Sequence, residues 1–383
     1  MGFSVRVALF FAAIFVVAGI KLPYLPVWLD WRGLSGGEIA VIAAAPLFLR
    51  IFATPAVALL ADRWGNRRGI VIALAWGSLA CLCLLLMTSG FWPILAVTVI
   101  LALVTTSIMP LTETIAMEGV RRTGADYGRM RLWGSLSFIA ASFVAGLIVQ
   151  RWGGSAVVAV LILGGVGTVL AAHLLPQPVA AVGSVRRIAL ADVLALVRGR
   201  QFLLFLVAVG AIQAAHAVFY TFGVLHWRSR GLSEGWAGVL WSIGVIAEIG
   251  LFAFSGAIMQ RLGAVPLILA GGGASVLRWL LMAWDPPLAL LLPLQALHGL
   301  TYGATHLGAV HFMSQHVPEA QAGTAQAIYA SVTAGIAMGL ATLGAGQLYP
   351  AVGAYAYLAM AGVALGGVAA GLLIGRGPAR ASA

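Results

Sequence analysis

Six charged side chains stand inside long apolar runs of the 383-residue chain. A charge at the middle of a bilayer costs several kcal/mol, so each of them is a candidate for substrate or proton binding. The bases exceed the acids by two, which favours a small anion as substrate over a cation. The alternative is structural ion pairing between helices, for instance of Arg50 with Glu248. The six residues are Lys21, Arg50, Glu113, Arg131, Glu248 and Arg278.

A polar stripe lies in the apolar run around residue 300. His298, Tyr302, Thr305 and His306 follow one another at the spacing of a single helix face. Such a stripe would be costly against lipid, so we expect it to face a water-filled cavity. His298 is a candidate for proton exchange because histidine titrates near neutral pH. A buried, hydrogen-bonded structural histidine is the alternative interpretation.

The composition excludes a soluble globule. Of the residues, 62% are hydrophobic and 9% are charged, whereas a soluble domain is about 25% charged. The apolar content equally excludes disorder. The chain therefore reads as an integral membrane protein whose main partner is the lipid bilayer.

Several other classes of function lack their signatures in the sequence. Cys81 and Cys83 lie two apart and suggest neither a disulfide framework nor a metal site. The sequence has no HExxH motif and no Gly-rich phosphate loop, so we expect neither an enzyme nor a cofactor, metal or nucleotide. The net charge of +11 could indicate nucleic acid, but the arginine positions favour membrane topology instead.

The apolar runs predict twelve transmembrane helices, because one crossing needs about 20 residues. A polar segment divides six runs from six, which predicts a first bundle at 1–178, a cytoplasmic linker at 179–199 and a second bundle at 200–383. The uncharged stretch 320–375 is too long for one crossing, and we expect its turn near Tyr349, Pro350 and Gly353. The runs are approximately 5–28, 37–60, 69–90, 93–118, 131–150, 155–175, 201–226, 235–258, 264–284, 287–315, 322–348 and 351–374.

Arginine counting predicts the orientation. With the N-terminus in the cytoplasm, the inside segments hold fifteen arginines and the outside segments hold four, Arg32, Arg151, Arg228 and Arg230. This bias follows the positive-inside rule and holds only for an even number of crossings. We therefore expect both termini in the cytoplasm of a bacterium, with the chain in its inner membrane.

An internal repeat relates the two halves. The pattern Ala58-x-x-x-Asp62-Arg63-x-Gly65 returns as Gly256-x-x-x-Gln260-Arg261-x-Gly263, 198 residues later. The same offset places Arg50 on Glu248 and Glu113 on His311. Two six-helix bundles with matching inside loops predict a pseudo-twofold axis along the membrane normal.

The first copy of this repeat resembles the loop between helices two and three of the major facilitator superfamily. The resemblance implies an all-α fold of two pseudo-symmetric six-helix bundles that rock about a central site. It also implies that the inside loops hold the cytoplasmic side shut in one state. We expect this gating role for Asp62, Arg63, Gly65, Arg67, Arg68 and Arg261.

A second resemblance, to the lactose permease and 3-phenylpropionate permease group, covers nearly the whole chain. It implies that Glu113 and Arg131 hold the substrate between a carboxylate and a guanidinium. Phe138 stands where the sugar transporter stacks a Trp, which leaves room for an aromatic ligand. We expect Lys21, Arg50, His216 and Tyr302 to complete the substrate site. The segments that carry the resemblance are 19–29, 127–135, 216–220, 226–227 and 297–306.

The same resemblance implies proton coupling at Glu248, Arg278 and His298. The lactose permease carboxylate three residues after the histidine is replaced here by Thr301, which cannot carry a proton at physiological pH. We therefore expect Glu248 to be the group that titrates, with His298 as the second choice.

These expectations together describe a secondary transporter that imports a small organic anion with protons by alternating access. The first choice of substrate is 3-phenylpropionate or a related aromatic acid. The alternatives are a sugar or nucleoside symporter, an efflux transporter of the same superfamily and, from another class, a membrane receptor or membrane-embedded enzyme. We expect no nucleic-acid partner, and expect a monomer to be functional because twelve helices close a pathway alone.

Overall fold

The computed structural model describes residues 1–64, 66–177 and 196–374, without the side chains of residues 58–64 and 320. This part of the chain is helical and contains no strand. Its first helices are α1 (Phe3–Trp31), α2 (Gly36–Trp64), α3 (Arg67–Met87), α4 (Phe91–Thr105), α5 (Ile108–Thr123), α6 (Tyr127–Trp152) and α7 (Ala156–Leu174).

The later α-helices are shorter, and π- and 3-10 turns separate several of them. The π-helical turns are Gly299–Ala304 and Ser331–Ala337, and the 3-10 turns are Glu319–Gln321 and Gly353–Tyr355. The α-helices are α8 (Arg200–Ala214), α9 (Ala217–Ser229), α10 (Glu234–Ala253), α11 (Ser255–Leu262), α12 (Ala264–Met282), α13 (Leu288–Ala296), α14 (Thr305–His316), α15 (Ala322–Ala330), α16 (Met338–Val352) and α17 (Ala356–Ile374).

These helices make twelve crossings within the described residues, as the apolar runs predict. Ten segments are long and apolar enough to span a bilayer. One of them, Ala322–Ile374, has 53 residues and holds two crossings that meet at the Gly353–Tyr355 turn. One further crossing, the tenth along the chain, runs from α13 through the first π turn into α14. The turn near Gly353 lies just beyond the expected Pro350, which stays inside α16.

Helices dominate because lipid offers the backbone no hydrogen-bond partners, so each crossing has to satisfy its own N–H and C=O groups. Polar side chains cap the N-terminal ends of two of the helices. The Asn66 side chain accepts from the Gly69 amide at the start of α3, and Asp126 accepts from the Arg129 amide at the start of α6. Gly153, with φ +77°, ends α6 in a conformation that favours glycine.

Two compact units make up the chain. The first comprises Met1–Ser184 with Tyr220–Ser242, and the second comprises Val185–Phe219 with Ile243–Ala383. The core of the second unit combines aliphatic side chains with aromatic rings, and Phe205 stacks on Phe312 at 4.5 Å between ring centroids. In the first unit, one cluster of buried aliphatic and aromatic side chains joins α1, α3, α5 and α7.

Small residues bring α6 and α10 close together inside the first unit. A Cβ on Gly146 would lie 2.4 Å from the Glu234 carbonyl oxygen, and one on Gly238 would lie 2.5 Å from the Ser142 carbonyl oxygen. The Tyr24 hydroxyl of α1 reaches the same two carbonyls, at 2.9 Å for Ser142 and 3.1 Å for Glu234. Glycine at both positions therefore permits the helix contact that Tyr24 bridges.

Gly238→Ala tests this packing. The added methyl group would collide with backbone atoms of α6, so we expect the free energy of unfolding to fall by about 1–3 kcal/mol. Gly250→Ala is the matched control, because a Cβ there meets no atom within 4 Å. Thermal unfolding of the purified protein measures both variants. Equal melting temperatures for the two would contradict the close contact.

Candidate functional site

In the first unit, the hydroxyl of Tyr127 connects Glu113 and Arg131, the two residues expected to hold the substrate. The Tyr127 hydroxyl donates to Glu113 Oε1 at 3.4 Å, and the same hydroxyl interacts with Arg131. The guanidinium carbon of Arg131 lies 4.0 Å from the Phe15 ring centroid and 5.8 Å from that of Phe11. The structure therefore brings Glu113 and Arg131 into one cluster, through a tyrosine one helical turn before Arg131.

The other residues expected to bind substrate in this unit lie elsewhere. Lys21 lines a cavity of about 190 Å³ between α1, α3, α4, α5 and α7, and neither Glu113 nor Arg131 is among its lining residues. Phe138 is buried, and its backbone packs closely against Gly19. A Cβ on Gly19 would lie 2.6 Å from the Phe138 carbonyl oxygen. Arg50 is exposed on α2.

At the start of α3, two expected gating residues make polar contacts. Arg67 forms an ion pair with Glu118 of α5. Arg68 donates to the His173 carbonyl oxygen at 2.6 Å and to Gln177 Oε1 at 3.2 Å. These contacts tie the start of α3 to the ends of α5 and α7.

The remaining gating residues are less informative. The side chains of Asp62 and Arg63, and the whole of Gly65, lie outside the described residues. Arg261 is exposed near the end of α11 in the second unit. The gating role of this set stays a prediction.

In the second unit, the fully buried Arg278 is bound by neutral side chains. Its NH2 donates to Gln295 Oε1 at 2.6 Å, and its NH1 lies 3.2 Å from Thr301 Oγ1 and 3.3 Å from His298 Nδ1. The guanidinium carbon also lies 4.6 Å from the Trp279 ring centroid. A planar guanidinium suits this combination of forked hydrogen bonding and aromatic stacking.

The hydrogen-bond donors and acceptors fix the two histidine tautomers. The Gln213 carbonyl can only accept, so the Nδ1 of a neutral His216 donates to it at 3.0 Å and its Nε2 accepts from Thr301 at 3.0 Å. Arg278 can only donate, so it makes His298 Nδ1 an acceptor. The Nε2 of a neutral His298 therefore carries the proton.

That proton is directed at the expected coupling carboxylate. His298 Nε2 lies 3.8 Å from Glu248 Oε2, and both side chains retain some exposure, 12% and 23% respectively. Arg278, in contrast, is fully buried. The structure thus brings Glu248, His298, Arg278 and His216 into one cluster, with Glu248 at its more accessible edge.

The polar stripe on this crossing is divided by the first π turn. The rings of His298, Tyr302 and His306 stack in sequence, with centroids 5.4 Å and 6.1 Å apart, and His306 Nδ1 lies 3.1 Å from the Tyr329 hydroxyl. Thr305 does not face a cavity, contrary to what the stripe predicts. It is fully buried, and its hydroxyl packs directly against Gly271, where a side chain would collide with it. The wider π turn shifts the register enough to direct Thr305 into the helix packing.

Sequence analysis missed three residues of these clusters. Tyr127 lies in the segment 127–135, which carries the family resemblance. Its place four residues before Arg131 indicates that the two share a helix face. Gln295 is a polar residue in an apolar run, three residues before His298. Thr301 was noted only as a lost carboxylate, whereas its hydroxyl joins His216 to Arg278.

Thr301→Val tests the hydroxyl bridge. The isosteric change leaves His216 Nε2 and one guanidinium N–H without their partner, and each unsatisfied buried group costs about 1–3 kcal/mol. We expect a clear fall in the melting temperature of the purified protein. Thr301→Ser keeps the hydroxyl and should stay close to the unmodified chain. A Val variant as stable as the Ser variant would contradict the bridge.

Comparisons with known proteins agree with this architecture. The chain is 31% identical to a probable 3-phenylpropionic acid transporter of Escherichia coli (strain K12), over 94% of each chain. It is 29% identical to a maltose permease of Geobacillus stearothermophilus, over 89% of this chain and 86% of that one. Its fold matches a crystal structure of the nucleoside transporter NupG with a TM-score of 0.85, at 19% sequence identity, over 98% of this chain and 100% of that chain.

A family model gives the same assignment. Residues 4–359, nearly the whole chain, match the MFS_1 like family. The match confirms the resemblance to the major facilitator superfamily that the inside-loop motif carries. The predicted all-α architecture of two six-helix bundles is confirmed with it. The chain therefore belongs to the MFS_1-like family of major facilitator superfamily transporters.

Proposed function

We propose that this transporter imports a small organic anion together with protons, and that 3-phenylpropionate or a related aromatic acid is the substrate. The observation that carries the coupling is the carboxylate of Glu248 beside His298 Nε2 in the second unit. Support for the substrate class comes from the relative that is named for an aromatic acid.

The charge of this cluster links proton binding to anion binding. With Glu248 ionised, its negative charge balances the positive charge of Arg278. Protonation of Glu248 leaves the cluster with one net positive charge, which favours a bound anion. By linkage the bound anion favours the proton equally, so the two are carried in the same direction. Release of the proton weakens the hold on the anion.

Uncharged side chains help to hold Arg278 in this cluster. Gln295, Thr301 and His298 accept hydrogen bonds from the guanidinium. A neutral His298 carries its proton on Nε2, which lies 3.8 Å from the Glu248 carboxylate and stabilises its ionised form. We assign proton exchange to Glu248 and a positioning role to His298.

Sugar symport is the second candidate, because the maltose permease is 29% identical over most of both chains. A sugar presents many hydroxyl groups and no charge, so it would not use the excess of basic residues among the six charged residues of the apolar runs. The alternating exposure of the site to the two membrane sides is common to both candidates.

We further propose that the chain works as a monomer in a bacterial inner membrane with both termini in the cytoplasm. The arginine distribution supports this orientation. Fifteen arginines fall in the segments on the side of the N-terminus, and four fall in the segments on the opposite side. The predicted halves, 1–178 and 200–383, would then carry the alternating motion. The linker at 179–199 lies largely outside the described residues.

The substrate proposal predicts the outcome of a competition experiment. In proteoliposomes with an inward proton gradient, we expect uptake of labelled 3-phenylpropionate, because its carboxylate matches the basic site. Excess unlabelled cinnamate should suppress that uptake, whereas lactose and uridine should leave it unchanged. Uptake of labelled maltose or uridine, without uptake of the acid, would favour the second candidate.

The coupling proposal predicts a separation of exchange from accumulation in Glu248→Gln. The amide cannot titrate, so we expect the stimulation by a proton gradient to disappear, while exchange of labelled for unlabelled acid at equal pH persists. Glu319→Gln is the matched control, because Glu319 is an exposed carboxylate in the turn before α15. Gradient-driven accumulation that survives in Glu248→Gln would assign the coupling to another group.

A further inference from the structure

Lys21 is the only lysine of the chain, and its surroundings differ from those of the buried arginines. It lines the cavity of about 190 Å³ inside the first unit, between the middle of α1 and four neighbouring helices. Among the described residues, the structure records neither a hydrogen bond nor an ion pair for its ammonium group. The cavity thus contains an amino group with no carboxylate side chain recorded beside it among the described residues.

The lining is mostly apolar, with hydroxyl groups from three helices. Thr105 Oγ1 donates its proton to the Leu101 carbonyl at 2.7 Å, and Thr168 Oγ1 donates to the Gly164 carbonyl at 3.0 Å. These two hydroxyls therefore present lone pairs to the cavity, which an ammonium group can use and a carboxylate cannot. Of the lining side chains, Lys21 and Ser78 remain as donors for an anion.

An ammonium group in such surroundings needs a counter-charge. Transfer of an isolated charge from water to an apolar interior is costly unless it is paired and hydrogen-bonded. The cluster of Glu113, Tyr127 and Arg131 already pairs its own acid and base, so it has less need of an added anion. Lys21 is the basic group of this unit for which a bound anion brings the larger gain.

We propose that Lys21 binds the carboxylate of a small aromatic acid, with the ring in the apolar part of this cavity. This inference rests on the proposed function, since the acid is the transported one. The volume of the cavity limits the class of ligand. A protein cavity of about 150 Å³ is known to hold benzene, so 190 Å³ takes one ring and one carboxylate. Benzoate fits this space with the fewest adjustments.

The chemistry of the lining also sets what the cavity rejects. One ammonium group and one serine hydroxyl satisfy a single carboxylate. A sugar or a dicarboxylate would bring polar groups that meet Leu82, Ile108 and other aliphatic side chains, where each unsatisfied group is costly. Lys21 thus determines specificity for monocarboxylates.

Benzoate binding to the purified full chain, measured by calorimetry, tests the assignment with Lys21→Met and Lys21→Arg. Methionine keeps the length and apolar stem but removes the charge, so we expect the Kd for benzoate to rise about tenfold or more. Arginine keeps the charge and should retain part of the affinity. The matched control is Arg151→Gln, which removes an exposed charge of the same unit and should leave the Kd unchanged. An unchanged Kd in Lys21→Met would overturn the proposal.

Melting temperatures separate binding from a structural role. Without benzoate, Lys21→Met should melt no lower than the unmodified chain, because it removes a charge that lacks a resident partner. Benzoate should raise the melting temperature of the unmodified chain and of Arg151→Gln, but not that of Lys21→Met. A Lys21→Met protein that melts lower without benzoate and still gains stability from it would overturn the proposal.

Uptake assays distinguish failure of this inference from failure of the proposed function. If the unmodified chain transports aromatic acids and Lys21→Met transports them with the same KM, the inference is wrong and the proposed function stands. If the unmodified chain neither binds nor transports any of the aromatic acids, both are wrong. A KM that rises in Lys21→Met but not in Arg151→Gln supports the inference.

Discussion

The second unit depends on how side chains hold the fully buried guanidinium of Arg278. Arg278 can form several hydrogen bonds, and each donor left unpaired in the interior would cost as much as a lost hydrogen bond. Gln295, Thr301 and His298 accept from it, and Trp279 covers its face. These acceptors carry no charge when His298 is neutral, so they hold the guanidinium without cancelling its positive charge. That charge stays in the same cluster as the carboxylate of Glu248, which lies 3.8 Å from His298 Nε2.

Helix interruptions lie beside both the cluster around Arg278 and the cavity that contains Lys21. The break between α8 and α9 leaves the Gln213 carbonyl available to His216, and Thr301 lies inside the first π turn. In the first unit, the break between α4 and α5 lies beside Thr105, which lines the Lys21 cavity. An irregular backbone inside a membrane protein is tolerated where protein groups satisfy it. Here the Gln213 carbonyl at one such break is the backbone group that His216 uses.

Much of the fold could be predicted because lipid imposes a simple rule on sequence. Apolar runs of crossing length and the arginine bias indicated twelve helices, and the repeat indicated two halves. Their charge inside apolar runs marked Glu248 and Arg278 as candidates, and the resemblance to the lactose permease group added His298. The structure brings these three residues together. The rule reports only which segments enter the bilayer, however. It does not report where a helix contains a π turn, so the inward direction of Thr305 could not be read from a regular helical spacing.

Side chains that act as connectors were harder to identify than charges. Tyr127, Gln295 and Thr301 are neutral, and neutral polar residues are common enough in membrane helices that their presence singles out none of them. Their roles depend on distances across helices, such as the 2.6 Å between Arg278 and Gln295. Sequence alone gives the spacing along one helix and not the register between two. The acid and base of a buried cluster are therefore predictable, and the groups that orient them need the structure.

The contrast between Arg278 and Lys21 follows from the chemistry of the two side chains. A guanidinium has five donors in a fixed fork and suits a permanent network, which Arg278 has. An ammonium group is a compact charge on a flexible stem, and it needs fewer hydrogen-bond acceptors in fixed positions. In a cavity of about 190 Å³, an arginine would occupy more of the space and would hold a carboxylate by two bonds. A transporter has to release what it binds, so a single ammonium contact suits a site that fills and empties in each cycle.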